Sequence, residues 1–318
     1  MGAWIIGLDV GGTKIAGGLV DSSDGRVITR TRIPTMPERG GDAILDDAVA
    51  LAETLRDEAV TRGGSVRAVG IGIAELVDAE GAVTSFHTIG WRGLPVKERF
   101  AAVAPATVES DVRAAALAEA RYGAGREFPI FAYVTIGTGI SCCLVQGGVP
   151  YAGARGAALV LASAPLSIPC AHCGKTTDLV LEEYAAGPAL AARYARLSGR
   201  PIGRAEDVFS AATAGDADAV EILRSAGAAL GSAVGWLVNV LDPLAVVVGG
   251  GLGLAGGGYW DALVSATRAH VWHDAARGLP ILTAALRADA GVVGAAAVAD
   301  GGIGGPDLEQ NQPRPKPR

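Results

Sequence analysis

Two glycine turns in this sequence have the composition of phosphate cradles. Asp9-Val10-Gly11-Gly12-Thr13-Lys14 and Thr135-Ile136-Gly137-Thr138-Gly139 each join two apolar runs that read as strands. Glycine lets backbone N–H groups approach an anion with no Cβ in the way. Thr13 and Lys14 add a hydroxyl and a positive charge. Asp9, at the end of the first strand, could hold Mg²⁺ through water, because that ion keeps several of its waters. A single turn of this kind reads as a plain hairpin; two in matching places read as a two-sided phosphate clamp. A third cluster, Gly251-Leu252-Gly253-Leu254-Ala255-Gly256, spells the dinucleotide fingerprint G-x-G-x-x-G. It leaves room for only one more strand–helix pair, and a dinucleotide fold needs several parallel strands after its first glycine turn. NAD binding therefore ranks below phosphoryl transfer. No P-loop, G-x-S-x-G or H-E-x-x-H motif occurs.

The elements that must position these turns follow from periodicity. Residues 4–10, 15–21 and 26–33 read as strands and 42–62 as a helix, with Asp42 placed to cap it. Strands at 66–74 and 106–109 and a helix at 112–122 follow. The second half repeats the order: strands 131–137 and 140–146, helices at 178–197, 206–213 and 217–240, strand 244–250, helix 258–271, strand 281–286 and a helix at 291–300. Two copies of a hairpin-first α/β unit imply two lobes with a cleft between them. The division expected is 1–112 for the first lobe, completed by 291–303, then 113–290 for the second, with 304–318 a flexible tail rich in Gly, Pro and polar residues.

Composition narrows the function classes. The chain has 318 residues, half of them hydrophobic, enough for two cores. A net charge of -6 without a long basic run argues against nucleic-acid partners. Cys142, Cys143, Cys170 and Cys173 are too closely spaced for a disulfide framework. With no leader-like start and no unbroken apolar span of about 20 residues, the expectation is a soluble cytoplasmic protein without membrane partners.

The segments LDVGGTKIAGGLVD (8–21), ESDVRAAALAEARYGAG (109–125), TIGTGI (135–140), LEEYAAG (181–187) and VVVGGG (246–251) together resemble the ROK family of sugar kinases and repressors over residues 4 to about 300. The resemblance implies the actin-like ATPase (ribonuclease H-like) fold: α/β, duplicated, two-lobed, with an interlobe cleft. It places ATP phosphates on Gly11, Gly12, Thr13 and Lys14 and on Gly137, Thr138 and Gly139, and adenosine at Gly249, Gly250 and Gly251. It makes Asp111 the carboxylate that takes the acceptor's proton, a role compatible with its other reading as the N-cap of the helix it precedes. It also implies a homodimer acting on a small-molecule substrate.

Acceptor-side positions depart from the family pattern. Where the family has Asn before the catalytic aspartate, this chain has Ser110. The carboxylate and histidine of Gly-Glu-x-Gly-His become Val160 and Ser163. A Pro-Gly turn becomes Ala74-Glu75, and an Asn ahead of Trp91 becomes His87. Three lost partners, at about 1–3 kcal/mol for each group left unpaired, argue against ordinary glucose. An amino sugar, cyclitol or nucleoside-like acceptor ranks ahead, with Glu75 and His87 either substrate contacts or surface groups and Glu182 matching a family sugar contact. Cys170, His172, Cys173 and Asp178 offer ligand types zinc accepts, yet the family knuckle is incomplete and a metal-free loop ranks first. The expectation is an ATP- and Mg²⁺-dependent kinase for a sugar-like hydroxyl; the alternative is an idle ligand-binding or regulatory relative.

Overall fold

The computed structural model describes residues 2–169, 174–199 and 201–302. The chain divides into two compact units. One comprises Met1–Arg121, Gly147–Tyr151 and Gly291–Arg318; the other comprises Tyr122–Gln146 and Ala152–Ala290. The first unit thus runs on to Arg121, well past the division drawn at 112 from sequence, because that point falls inside a helix.

In the first unit, β1 (Ala3–Val10), β2 (Lys14–Asp21), β3 (Arg26–Pro34), β4 (Ser65–Ile73) and β5 (Ala106–Ser110) form one sheet in the order β3-β2-β1-β4-β5. The first three are antiparallel, whereas β4 runs parallel to β1 and β5 parallel to β4. Helix α1 (Gly41–Thr61) buries Ile44, Leu45, Ala48, Leu51, Ala52, Leu55 and Ala59, a stripe at helical spacing. These side chains share a core with Leu8, Ile15, Leu19 and Ile71, and with Val96 and Phe100 of the short helix α2 (Val96–Phe100). The expected cap at Asp42 does not form. Gly40 is the N-cap and no side chain closes it. Helix α1 begins at Gly41 because its backbone passes directly beneath Gly90, where a Cβ would strike the Gly90 carbonyl. Asp42 lies in the first turn, where a negative charge still suits the helix dipole.

The opposite face of this sheet carries a small apolar cluster, Ile5, Val20 and Ala68 packed with Val292 and Ala296, and beside it a row of glycines. Gly18, Gly7 and Gly70 lie side by side on β2, β1 and β4. Helix α10 (Ala290–Ala297) rests on that row: a Cβ at Gly7 would collide with the Val292 carbonyl, and one at Gly70 with the Ala295 carbonyl. Helix α3 (Asp111–Tyr122) packs beside α10 through Gly294, where a Cβ would meet the Ala114 carbonyl. The C-terminal helix is thereby built into the first unit.

The second unit repeats the hairpin start. β6 (Ile130–Ile136) and β7 (Ile140–Gln146) are antiparallel, β11 (Ala245–Gly249) runs parallel to β6, and β12 (Ile281–Thr283) parallel to β11. The two-residue strand β8 (Val149–Pro150) adds to the edge of their sheet next to β7, giving the order β12-β11-β6-β7-β8, and β9 (Pro165–Pro169) pairs with β10 (Thr176–Val180) as a separate ribbon. The single helix expected over 178–197 is broken into β10, α4 (Glu182–Ala185) and α5 (Gly187–Ser198). Pro188 explains the break, since a residue without an N–H belongs to a first helical turn. After α6 (Ala205–Thr213), the long helix α7 (Ala217–Leu241) packs on α9 (Gly257–His270), beyond the four-residue α8 (Gly250–Gly253). Gly227, Gly231 and Gly235 form the seam, each too close to a backbone carbonyl of α9 to carry a Cβ. The strand expected to reach 286 ends at Thr283.

Among the described residues no helix is long and apolar enough to cross a membrane. The glycine row carries a direct consequence. Gly70→Ala should lower unfolding free energy by about 1–3 kcal/mol through overpacking in urea titrations. Gly203→Ala, in open space, should change it by no more than about 0.5 kcal/mol.

Candidate functional site

The chemistry-bearing residues of the first unit collect where its parallel strands end. Asp9 on β1 pairs across Gly72 on β4, and Gly72 pairs in turn with Glu109 on β5. Glu75 follows β4 by two residues, and Ser110 and Asp111 form the β5–α3 corner. The carboxyl ends of parallel strands are the usual place for ligands in open α/β sheets. Gly72 has no side chain to separate its neighbours: a Cβ there would lie 3.6 Å from the Asp111 Cα. Asp111 Oδ1 accepts the Val112 N–H at 2.7 Å. Burial, and then the nearby Asp9 carboxylate, push the Asp111 carboxyl up to about 7 against the pull of the Val112 N–H and Arg113. Burial likewise raises Asp9, which Lys14 opposes. Asp9 also lies against Gly291, in the first turn of α10, where a Cβ would overlap its carboxylate.

The corner that carries Asp111 is held by a buried ion pair that sequence reading missed. Arg113 Nε donates to Glu109 Oε1 at 2.7 Å, and the same oxygen accepts the Ser110 N–H at 2.7 Å. Arg113 Nη2 reaches back to the Val77 carbonyl at 2.6 Å. In sequence the pair looks like an ordinary i,i+4 surface bridge; in the fold both residues are buried. Ser110 is buried too, and its hydroxyl finds no hydrogen-bond partner among the described residues.

The first glycine turn is buttressed by Thr35, which is fully buried. Gly11 N–H donates to Lys14 O at 3.0 Å, while Thr35 donates its hydroxyl to Gly11 O at 2.5 Å and its N–H to Thr13 O at 3.2 Å. Thr13 and Lys14 are left exposed. Gly12 faces the Thr88 methyl, which a Cβ at position 12 would approach to 2.7 Å. Thr35 had no signal in sequence, because its partners lie more than twenty residues away.

Glu75, expected to face the acceptor, is buried instead. Its Oε2 accepts the Ser85 hydroxyl and the His87 N–H, the latter at 3.0 Å, and Oε1 accepts the N–H groups of Thr88 at 2.6 Å and Ile89 at 2.8 Å. A carboxylate offers about four lone-pair sites, so none remains for a ligand. His87 is exposed, with its ring stacked on Phe86 at 5.6 Å and the Arg92 guanidinium 4.1 Å over Phe86.

In the second unit, Gly137 N–H donates to Gly139 O and Gly187 N–H to Gly137 O, both at 2.9 Å. Glu182, expected among the sugar contacts, instead accepts the Ile140 N–H at 2.8 Å beside Gly139. Gly250 has φ +78 and backs onto Ile136, which brings Gly249, Gly250 and Gly251 next to the second turn. Gly137 and Gly251 have nothing within 4 Å of a notional Cβ, and Thr138 is exposed. Both turns therefore present bare backbone of the kind a nucleotide needs. Val160 is exposed, and Ser163 Oγ donates to its carbonyl at 2.8 Å. Of the zinc ligands considered, Cys170, His172 and Cys173 lie outside the described residues, and Asp178 accepts the Ser167 hydroxyl at 2.6 Å. Cys142 and Cys143 are buried, their thiols donating to the Leu159 and Leu144 carbonyls at 3.1 and 3.3 Å.

Comparison with known proteins sets these features in context. The sequence signature of the ROK family matches residues 5–301. The chain is 30% identical over 313 residues to a glucokinase of Halalkalibacterium halodurans, covering 92% of this chain and 93% of that one. It is 30% identical over 305 residues to an N-acetylmannosamine kinase of Shigella flexneri, covering 93% and 98%. Among solved structures, a ROK family glucokinase from Streptomyces griseus in complex with glucose and AMPPNP superposes with a TM-score of 0.78 at 31% identity, covering 94% of this chain and all of that one.

Two measurements probe this geometry. Arg113→Met should destabilise the fold by about 3–5 kcal/mol, because it strands the Glu109 carboxylate, while Glu109→Leu combined with Arg113→Met should cost far less; a double-mutant cycle by denaturation checks this. Asp111 has a folded-state pKa above its unfolded value, so the folded state holds this proton more tightly. Its contribution to stability falls as pH rises from about 4 to about 7. In metal-free buffer, Asp111→Asn should therefore gain melting temperature over wild type across that window and keep a constant lead above it.

Proposed function

We propose a role for each of these residues in a chain that belongs to the ROK family and is an ATP-dependent sugar kinase. The observation that carries the proposal is the pairing of Asp9 and Asp111 at strand ends beside a buttressed glycine turn. Asp111 is the base: with its carboxyl drawn up toward neutral pH, it accepts the proton of an attacking sugar hydroxyl while that oxygen bonds to the terminal phosphorus of ATP and ADP departs with the bridging oxygen. The turn of Gly11 and Gly12, with Thr13 and Lys14, binds the phosphates. Gly137, Thr138 and Gly139 serve as the second phosphate turn, and Gly249, Gly250 and Gly251 border the adenosine.

Mg²⁺ fits Asp9. This ion takes one or two protein carboxylates together with substrate phosphates, and burial, which raises the Asp9 pKa, is a cost that a bound cation would relieve. When bound, it would neutralise charge on the phosphates; Asp9 would hold it, and Asp111 would remain the proton acceptor. Glu182, engaged by the Ile140 N–H, keeps the second turn in shape.

The acceptor is a sugar other than plain glucose. Ser110, Val160 and Ser163 replace groups that hydrogen-bond a hexose in the family pattern, while the buried Ser110 hydroxyl still awaits a partner. Because Glu75 is fully engaged, a charged amine would lack the carboxylate it needs there. An uncharged N-acylated amino sugar therefore fits better than a free amine, with cyclitols and nucleosides next.

ADP release should be measured across glucose, N-acetylmannosamine, other amino sugars, cyclitols and nucleosides. N-acylated amino sugars should exceed glucose by about tenfold or more in kcat/KM. Asp111→Asn should cut kcat by about 10²–10⁴ with little change in the KM for ATP. Glucose performing as well as the best acceptor would refute the acceptor reading, and an active Asp111→Asn enzyme would refute the base.

A further inference from the structure

We infer that Glu75 is a positioning residue that fixes the shape of the loop 85–89 and seats it on the first phosphate turn. The inference rests on the proposed sugar-kinase function and on the expectation, drawn from the family resemblance, that His87 lies on the acceptor side. Family resemblance places glycine at position 75, so the carboxylate is a device of this chain.

The bonds of Glu75 leave the loop little freedom. One carboxylate oxygen takes Thr88 N–H and Ile89 N–H; the other takes His87 N–H and the Ser85 hydroxyl. Three successive backbone N–H groups converging on one anion form a nest, and here the anion belongs to the protein. Burial alone would raise the pKa of Glu75, but the bonds from Ser85, Ile89, Thr88 and His87 outweigh it and hold the group below its ordinary value. The charge is thus retained and met by backbone dipoles rather than by a ligand.

Both flanks of the loop are fixed as well. Upstream, Leu76 N–H donates to Ser85 Oγ at 2.8 Å. Downstream, Ile89 is buried in the core, Gly90 lies over Gly41, and the buried Trp91 donates its indole N–H to Gly41 O at 3.0 Å. Between these clamps the Thr88 methyl rests on Gly12 of the phosphate turn. Phe86 and His87 are left outward as a stacked pair capped by Arg92. A residue that selects an acceptor is useful only on a rigid support, and the Glu75 carboxylate supplies that support to His87.

The test compares full-length wild type with Glu75→Gln and Ser85→Ala by amide hydrogen exchange and steady-state kinetics. In Glu75→Gln the amides of 86–90 should exchange about tenfold faster or more while those of the β1–β2 hairpin stay protected; Ser85→Ala should show the same pattern more weakly. With N-acetylmannosamine and with glucose as acceptors, the acceptor KM should rise about tenfold in Glu75→Gln, with kcat and the KM for ATP within about threefold. Unchanged exchange at 86–90 overturns the inference, as does faster exchange with an unaltered acceptor KM. If Glu75→Gln does not fold, Ser85→Ala carries the same two readouts. If wild type phosphorylates neither sugar, the acceptor reading fails while hydrogen exchange still decides whether Glu75 fixes the loop.

Discussion

Asp9 stands close enough to Asp111 at the ends of parallel strands to add to burial in raising the proton affinity of Asp111, and much of the first unit serves to keep the two carboxylates there. Like charges brought out of water repel and lose hydration, so the surrounding packing must fix both positions. The glycine row Gly18, Gly7 and Gly70 lets α10 lie flat on the sheet. That contact brings Gly291, in the first turn of α10, against Asp9, where the positive end of the helix dipole favours an anion. Glu109–Arg113 locks the corner from below. The glycines here are structural: at Gly7 and Gly70 the sheet meets the backbone of α10, and Gly291 leaves room for the Asp9 carboxylate.

What was legible in sequence was local. Both hairpins, the α1 stripe and the β5–α3 corner follow from apolar period and glycine turns. Asp9 could be picked out because it sits at a strand end beside a glycine turn, and Asp111 because the family resemblance marks it, its local signal alone being that of an N-cap. The misses are tertiary. Thr35 holds the phosphate turn from across β3, and Glu75 holds a loop ten to fourteen residues away through backbone N–H groups that no pattern advertises. Arg113 imitates a surface i,i+4 pair while being buried. The helix expected over 178–197 failed for a different reason: its apolar spacing is real on both sides of Pro188, and only the imino ring decides that two helices form.

Glu75 also shows why a residue type in the right place does not establish a contact. From sequence, a carboxylate replacing glycine beside the acceptor invites an amine-binding role. In the fold its hydrogen-bonding capacity is filled by the protein, and the substitution acts on loop shape instead of on ligand charge. Ser110 is the converse case. Substituting serine for a larger amide looks like a simple loss, yet it leaves a buried hydroxyl with no partner among the described residues. A buried unpaired hydroxyl costs about 1–3 kcal/mol, so a ligand group that satisfies it gains from a defect already present in the free protein.

The duplication of the fold does not extend to how its turns are held. Both units open with a glycine hairpin, but the first turn is supported by a buried threonine hydroxyl and amide, the second by the Gly187 amide and the Glu182 carboxylate. A neutral buttress adds no negative charge to the first turn, which carries the exposed Lys14. A carboxylate next to the second turn would repel an anion unless its charge were engaged, and the Ile140 N–H engages it at 2.8 Å. The two turns thus share a backbone solution and differ in electrostatics.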